Sequence, residues 1–350
     1  GHPTRFGGSP EAVLEWLLDA GLRIAIILVV AYAVVRIGSA AARRFEREMA
    51  RGQGHNATER AKRARTLGRL LQNALTAMVI AIAGLMILRE LRVDITLALT
   101  GAGIAGLAVG LALAGWRPIA EMQFDAFSYP ALEQIISHVA KYRERTRGRR
   151  SLPIVIRIPS FGGIRGKEHH GESPETYYVH IAGLKVVTPS TPADAYTLLS
   201  RAIADPDPVI VLEPKARYWS KEDAQLRADG PGIGSARTLR EGDACVLISY
   251  GAMVHRCLEA AESLAAEGTS CAVLDLRSLS PLDLDAITDA VRATGRAVVV
   301  HEAPLTLGMG AEISARIMER AFDSLQAPVA RVTGWDVPYP PAVLEQSYLP

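Results

Sequence analysis

The run from Ile95 to Trp116, ITLALTGAGIAGLAVGLALAGW, contains no charged residue over its 22 positions. Such a stretch has two physical homes. About 20 apolar residues in a helix cross a bilayer, and the same residues can fill a dense soluble core. Gly103, Gly106, Gly110 and Ala114 recur every three or four positions. They therefore share one helical face, on which a neighbouring backbone can approach closely. Both homes use a face of that kind, so the flanking sequence has to decide between them.

The sequence before the run reads as membrane. Ile24 to Val35 (IAIILVVAYAVV) is apolar and bracketed by Arg23 and Arg36, whose long side chains can reach toward head groups. With its flanks it predicts a span over 22–38. Leu70 to Leu88 is uncharged throughout and predicts a second span over 70–88. Between them, eight Arg or Lys residues from Arg43 to Arg65 face only Glu46, Glu48 and Glu59. A basic loop between apolar runs is expected on the cytoplasmic side. With 95–116 as a third span, residues 1–100 read as an α-helical membrane region of the inner membrane, and everything after Arg117 lies in the cytoplasm. The opening GHPTRFGGSP carries no signal-peptide pattern.

The sequence after the run reads as an α/β protein. PIAEMQF predicts a short strand. SYPALEQIISHVAKYRERT predicts an amphipathic helix, with Leu132, Ile135, Ile136, Val139 and Tyr142 at helical spacing. LPIVIRIP is β-branched and apolar, like a buried parallel strand. LKVVTPS, TPADAYTLLSRAIAD and PVIVLEP continue as strand, helix and strand, with Thr191 or Asp194 available near the helix start. A polar, Gly-rich linker follows over 223–240, and strands alternate with helices again over 241–350. This pattern predicts α/β architecture with two doubly wound parallel-sheet domains, at 101–222 and 241–350.

Composition adds limits. A formal charge of +2 argues against nucleic acid as a partner. Hydrophobic residues reach 49% and the mean hydropathy is +0.14, high for a purely soluble chain. Cys245, Cys257 and Cys271 show no metal-ligand spacing and fit a reducing compartment. Gly101-x-Gly103-x-x-Gly106 matches a dinucleotide fingerprint, but no strand leads into it and no partner acid follows.

Two family resemblances overlay this reading. ERAKRARTLGRLLQNALTAMVIAIAGLMILRELRVDIT followed by GAGIAGLAVG resembles the transmembrane part of small-conductance mechanosensitive channels, over about residues 10–110. The family's β-rich vestibule does not follow. From Gly103 onward the chain resembles the β subunit of the branched-chain 2-oxo acid dehydrogenase decarboxylase component, with pyruvate dehydrogenase β subunits similar. The residues that carry it are GIAGLAVGLALAGWRPIAEMQFDAFSYPALEQI, RIPSFGGIRGKEHHGESPETYYVHIAGLKVVTPSTPADAY and DPDPVIVLEPKARYW, with LDLRSLSPLD, AVVVHEA and PYPP later. The octapeptide GIAGLAVG suits both families, so the chain reads as a fusion joined there.

The second resemblance implies a thiamine diphosphate enzyme of α2β2 type that oxidatively decarboxylates branched-chain 2-oxo acids and passes the acyl group to lipoyl. It implies an α subunit holding Mg²⁺ and the diphosphate, and a lipoyl transacylase core as a further partner. Gln123 and Phe127 match positions that pack on the aminopyrimidine. His170 matches the active-site histidine of acyl transfer, with His169 as its neighbour. Ile154, Ala202, Ile203, Asp205 and Asp207 match a structural K⁺ site. Glu213, Lys215 and Arg217 fit a charged edge facing another subunit.

The cofactor-activating carboxylate of the family falls at Gly101 and is missing, as are the strand and helix before it. The resemblance therefore implies a truncated pyrimidine domain with impaired catalysis. A mechanosensitive-type membrane protein with an unrelated cytoplasmic cap, and a non-catalytic membrane-tethered docking module, are the competing readings.

Overall fold

In the computed structural model of the chain, residues 10–49, 72–73, 75–80, 82–84, 86–87, 96–166 and 170–350 are described below. The chain divides between residues 97 and 98 into two units.

In the first unit, helix α1 runs unbroken over Pro10–Met49. Its segment Gly21–Ala41 has a mean hydropathy of 2.3 and is long and apolar enough to cross a membrane. The segment contains the span expected at 22–38. Its large side chains point outward: Leu22, Val29, Tyr32 and Ile37 are each more than 60% exposed, at 63%, 67%, 66% and 69%. Near its end Gly38 leaves no room for a Cβ beside Leu75, and Gln72 donates a hydrogen bond to Ser39 at 3.2 Å. The second expected span, 70–88, falls partly outside the described residues, and Leu75–Gly84 is a shorter apolar helix. Of the basic loop expected from Arg43 to Arg65, residues 43–49 form the end of α1 and the rest lies outside the described residues.

Helix α2 (Thr96–Leu113) enters the second unit. Ala108 and Ala112 belong to the main core of the α/β unit, packed with Met122, Ile156 and Ile210. The helix lies within the third span expected at 95–116; these two alanines sit in the α/β core, while Leu107, Leu111 and Leu113 are 67%, 40% and 46% exposed. The small residues Gly103, Gly106 and Gly110 lie on the other face, with open space around them. Dense packing is thus supplied by the two alanines, not by the glycine stripe.

The first sheet has the order β1–β2–β4–β3–β8. Strands β1 (Ile119–Glu121), β2 (Val155–Ser160), β3 (Lys185–Val187) and β4 (Val209–Pro214) are parallel, with Ile119 opposite Val155 and Val155 opposite Val209. The helix expected after β1 is present in short pieces from Asp125 to Arg145, with a π-turn at Ile135–Val139. Pro130, which has no N–H to donate, sits in a 3₁₀ turn of that run. Short helix α3 (Glu175–Val179) precedes β3. Helix α4 (Pro192–Ala204) opens on Thr191, whose hydroxyl accepts the Asp194 N–H at 3.2 Å, with proline at the first helical position.

The second sheet has the order β10–β9–β6–β7–β5. Strands β6 (Cys245–Ser249), β7 (Cys271–Asp275), β9 (Ala297–Pro304) and β10 (Ala330–Gly334) are parallel. Helices α5 (Met253–Ala266), α6 (Leu284–Thr294) and α7 (Met309–Ala321) connect them. Helix α6 is capped by Asp283 at its start and closed by left-handed Gly295.

Two strands depart from the sequence reading. Strand β5 (Arg237–Arg240) pairs antiparallel with β7 inside the stretch read as linker. Strand β8 (Ser278–Ser280) leaves the second sheet and pairs antiparallel with β3 at the edge of the first. Both are short and one is basic, so neither shows an apolar alternation.

Candidate active site

In a doubly wound sheet, loops at the carboxyl ends of the strands gather into one crevice. Here β1, β2 and β4 end at Glu121, Ser160 and Pro214, and each hands its chain to a loop. The loop after β1 carries Gln123, Phe124, Asp125 and Phe127, with Gln123 exposed and Asp125 buried. The loop after β2 carries His170. Phe124 stacks on the His170 ring with 4.3 Å between centroids at 20°, and Phe127 does so at 5.8 Å and 22°. The structure thus brings together Phe127 and His170, with Gln123 on the same short segment. Phe124 was not singled out from sequence, although its place between Gln123 and Phe127 could have marked it. His169 lies outside the described residues.

Lys215 underlies this stack. Its Nζ is 5.9 Å from the Phe124 ring centroid and 3.7 Å from Asp125 Oδ1. The two side chains are 1% and 0% exposed. Lys215 is therefore a buried support and not part of a charged outer edge. At 3.7 Å the pair is held by charge, since a hydrogen bond needs a closer approach. Burial pushes the Asp125 carboxyl up to about 6, against the attraction of Lys215. Burial also lowers the Lys215 ammonium, against the attraction of Asp125. Glu213, mostly buried, pairs with Arg157 at 2.6 Å.

The loop from Phe161 to Glu172 is held from several sides. Tyr129 donates its hydroxyl to the Glu172 carboxylate, and the Phe161 N–H donates to the Glu172 carbonyl at 2.9 Å. Gly162 N–H donates to Glu302 Oε2 at 2.8 Å. Gly163 N–H donates to Glu345 Oε1 at 3.0 Å, and Arg165 N–H to Glu345 Oε2 at 3.0 Å. Tyr339 donates to the same Glu345 at 2.6 Å. Burial pushes Glu302 up to about 7. Glu302 and Tyr339 stand in the blocks AVVVHEA and PYPP, which gave no sign of this role. A loop anchored by residues 140 and 182 positions away has no local signature.

Position 101 lies within helix α2 and supplies no carboxyl group. Among the described residues, Asp125 is turned to Lys215 and Glu172 to Tyr129. The aromatic wall of Phe124 and Phe127 fits an aminopyrimidine, and among the described residues position 101 brings no carboxyl group to it.

The expected K⁺ residues converge, but a cation from the chain is already among them. Arg117 donates from Nη1 to the carbonyls of Ile203 at 2.8 Å and Asp205 at 2.9 Å. The carbonyls of Ala202 and Ile154 accept the N–H of Asp205 at 3.3 Å and of Val209 at 3.0 Å. The Asp205 carboxylate pairs with Lys185 at 2.7 Å, and Asp207 with Arg143 at 2.5 Å.

Comparison with known proteins follows the same division of the chain. The family profile "Transketolase, pyrimidine binding domain" matches residues 90–220, and "Transketolase, C-terminal domain" matches 234–350. The chain is 52% identical over 253 residues to the 3-methyl-2-oxobutanoate dehydrogenase subunit beta of Mycobacterium tuberculosis, covering 72% of this chain and 73% of that protein. It is 47% identical over 252 residues to the pyruvate dehydrogenase E1 component subunit beta of Leifsonia xyli, covering 72% and 75%. It is 42% identical over 265 residues to the 2-oxoisovalerate dehydrogenase subunit beta of Pseudomonas aeruginosa, covering 71% and 75%. Among solved structures, a split-gene transketolase described as an inactive beta4 tetramer superposes with a TM-score of 0.59 at 24% identity, over 70% of this chain and 76% of that one. That likeness is one of fold.

Proposed function

Because the chain belongs to the family of 2-oxo acid dehydrogenase β subunits, we propose that its α/β unit acts as the β component of a thiamine diphosphate-dependent decarboxylase for branched-chain 2-oxo acids. The observation that carries this reading is the His170 ring stacked on Phe124 and Phe127 at the carboxyl ends of the first sheet. Phe127 offers a flat apolar wall for the aminopyrimidine, and exposed Gln123 offers its amide beside it. His170 serves the acyl transfer to lipoyl as proton donor or acceptor. Thiamine diphosphate, when bound, supplies the carbanion-stabilising chemistry, and a partner α subunit holds its Mg²⁺ and diphosphate.

Gly101 favours a restricted version of this role. Without a carboxyl group there, the chain docks an α subunit and a transacylase core while activating the cofactor poorly. The carbonyls of Ile203 and Asp205 hold the Arg117 guanidinium where the family pattern calls for K⁺, and Asp207 completes the charged surround. Helix α1 tethers the chain to the inner membrane, with the α/β unit on the cytoplasmic side. The channel-like stretch is the source of that tether, joined to the β-type domains at Gly103–Gly110.

Co-expression with the α subunit of the 52%-identical relative tests the docking role. A stable α–β complex in detergent, seen by sedimentation, is the expected result. Failure of the two chains to associate at micromolar concentration overturns it.

A further inference from the structure

Positive charge gathers on one turn of the α/β unit. Residues 141–150, KYRERTRGRR, hold six Lys or Arg against one acid, in a chain whose formal charge is +2 overall. The stretch ends the helical run after β1 and leads into β2. Lys141, Arg143, Arg145, Arg147, Arg149 and Arg150 are all exposed.

The turn has a fixed shape. Val139 and Ala140 before it and Leu152 and Ile154 after it are buried in the main core. Inside it, the Arg147 N–H donates to the Glu144 carbonyl at 2.8 Å, and the Gly148 N–H to the Arg143 carbonyl at 2.9 Å. The Thr146 hydroxyl accepts the Arg150 N–H at 3.2 Å and donates to the Arg150 carbonyl at 2.9 Å. At the tip, Arg147 and Gly148 have φ of 52° and 74°. A side chain is uncommon in that left-handed region, so the tip carries a guanidinium where glycine would fit with less strain.

Backbone and threonine hold the turn, and most of its cations are left over. Arg143 pairs with Asp207 at 2.5 Å. Arg145 Nη1 lies 3.3 Å from His138 Nδ1, and Arg149 Nε donates to the Thr146 carbonyl at 3.0 Å. Among the described residues, no carboxylate lies within ion-pair distance of Lys141, Arg145, Arg147, Arg149 or Arg150.

The turn lies at the amino ends of the parallel strands. Arg150 shortly precedes β2, and Asp207, which holds Arg143, shortly precedes β4. The stack of Phe124, Phe127 and His170 lies at their carboxyl ends. A partner held by the turn therefore leaves that crevice open.

We propose that this turn binds the surface of an anionic lipid bilayer. Clusters of about 4–8 Lys or Arg near a membrane attract anionic head groups, each cation strengthening binding about fivefold. The choice of a bilayer rests on the proposed reading of α1 as a tether, since a tethered unit meets the lipid surface at high effective concentration. Single-stranded nucleic acid fits the turn less well. It needs exposed aromatic faces for its bases, and Tyr142 is packed against the core.

The test uses the full chain carrying Ile26→Asp and Val30→Asp, which weaken the α1 tether. It is sedimented with sucrose-loaded vesicles of phosphatidylcholine, alone or mixed with phosphatidylserine. Phosphatidylserine should raise the bound fraction, and high salt should remove the increment. In this background R147Q, R149Q and R150Q together should weaken binding to the mixed vesicles about 100-fold, and R147Q alone about fivefold. R292Q, R316Q and R320Q together remove the same charge from α6 and α7, where each arginine has an acid partner. They should weaken binding less than about threefold. The basic residues from Arg43 to Arg65 are the same in every variant, so these differences read the turn. Flotation of the unmodified chain with pure phosphatidylcholine reads α1 alone, so loss of the tether and loss of this proposal are separate results. Equal binding by the turn's triple variant and its parent, or equal losses in the two triple variants, overturns the proposal. So does arginine-dependent capture of duplex RNA with no response to phosphatidylserine.

Discussion

Helices α1 and α2 are both long, apolar and nearly free of charge in their central stretches, yet they meet different surroundings. Segment Gly21–Ala41 of α1 is only 6% buried, with leucine, isoleucine, valine and tyrosine turned outward. Helix α2 buries Ala108 and Ala112 against a sheet and leaves its glycines outside. Hydropathy alone does not separate the two. Both turn large apolar side chains outward, Leu107 of α2 among them at 67% exposed; the difference lies in the other face, where the alanines of α2 meet the α/β core while α1 keeps a belt of branched and aromatic side chains that needs a surrounding apolar medium. For α1 the medium we propose is a bilayer, and this is the first part of the contrast to break.

The largest expected effect is on membrane association. The full chain should float with lipid on a density gradient. Ile26→Asp together with Val30→Asp places two carboxylates near the middle of the segment, each costing about 2.5–3.5 kcal/mol in a span. The double variant should lose most of its lipid-bound fraction. Leu107→Asp on the exposed side of α2, where Leu107 is 67% exposed, should leave flotation unchanged. If the wild-type chain stays at the bottom of the gradient, or Leu107→Asp behaves like the α1 variant, the two helices have been assigned the wrong surroundings.

The next effect concerns catalysis and position 101 of α2. General acid–base terms are worth about 10²–10⁴ in rate. Supplied with an α subunit, thiamine diphosphate and Mg²⁺, the chain should decarboxylate 3-methyl-2-oxobutanoate slower than an intact relative by at least the lower end of that range. On the proposed reading, in which the strand and helix before position 101 are missing, Gly101→Glu should recover only a small part. Single-turnover decarboxylation reads this directly. Rates equal to the relative's in the unmodified chain would mean that another group supplies the proton.

A third prediction separates the two loops of the site by pH. Burial raises Glu302 from its ordinary 4.5 to about 7, so the folded state holds its proton more tightly than the unfolded state does. The sign follows from linkage: stability is greatest on the acid side and falls as pH rises from about 4.5 through about 7. Asp125 and Asp275, raised to about 6, act in the same direction over a lower window. His301, lowered to about 4, acts in the opposite one below its ordinary 6.5. Glu302→Gln keeps an oxygen for the Gly162 N–H and removes the titration. Its stability relative to wild type should grow by about 3 kcal/mol between mildly acid and mildly basic pH. Urea unfolding at the two ends of that range measures it. A constant difference would show that Glu302 titrates in the fold as it does in the unfolded chain.

Much of the α/β unit was legible because its strands are apolar and β-branched and its helices periodic. Val155–Ser160, Val209–Pro214 and Cys245–Ser249 could be read from local pattern alone, and Thr191 marked its helix start. What could not be read is what depends on distant partners. Strand β8 is three residues of serine and leucine that become a strand by meeting β3. Lys215 looked like an outer charge, and only a buried Asp125 from another loop makes its burial tolerable. The stack of Phe124 on His170 joins residues 46 positions apart, so no spacing rule announces it.

The smallest expected effect lies at the carbonyls of Ile203 and Asp205, where sequence resemblance called for K⁺ and the structure has Arg117. A guanidinium with two hydrogen bonds to carbonyls, at 2.8 and 2.9 Å, answers the same partial negative charge that a bare cation would. Arg117 is exposed, so water competes and the pair of contacts contributes only about 1–2 kcal/mol. Thermal unfolding of the wild type should therefore differ little between potassium chloride and choline chloride at equal ionic strength. Arg117→Ala should lower stability by about 1–2 kcal/mol in choline. It should regain part of that in potassium, because the freed carbonyls and the nearby Asp205 and Asp207 carboxylates suit a hard cation that choline is too large to replace. Lys185 and Arg143 still pair with those carboxylates, which limits the recovery. A wild-type chain strongly stabilised by potassium would show that the ion displaces Arg117, and the family's K⁺ site would then be intact.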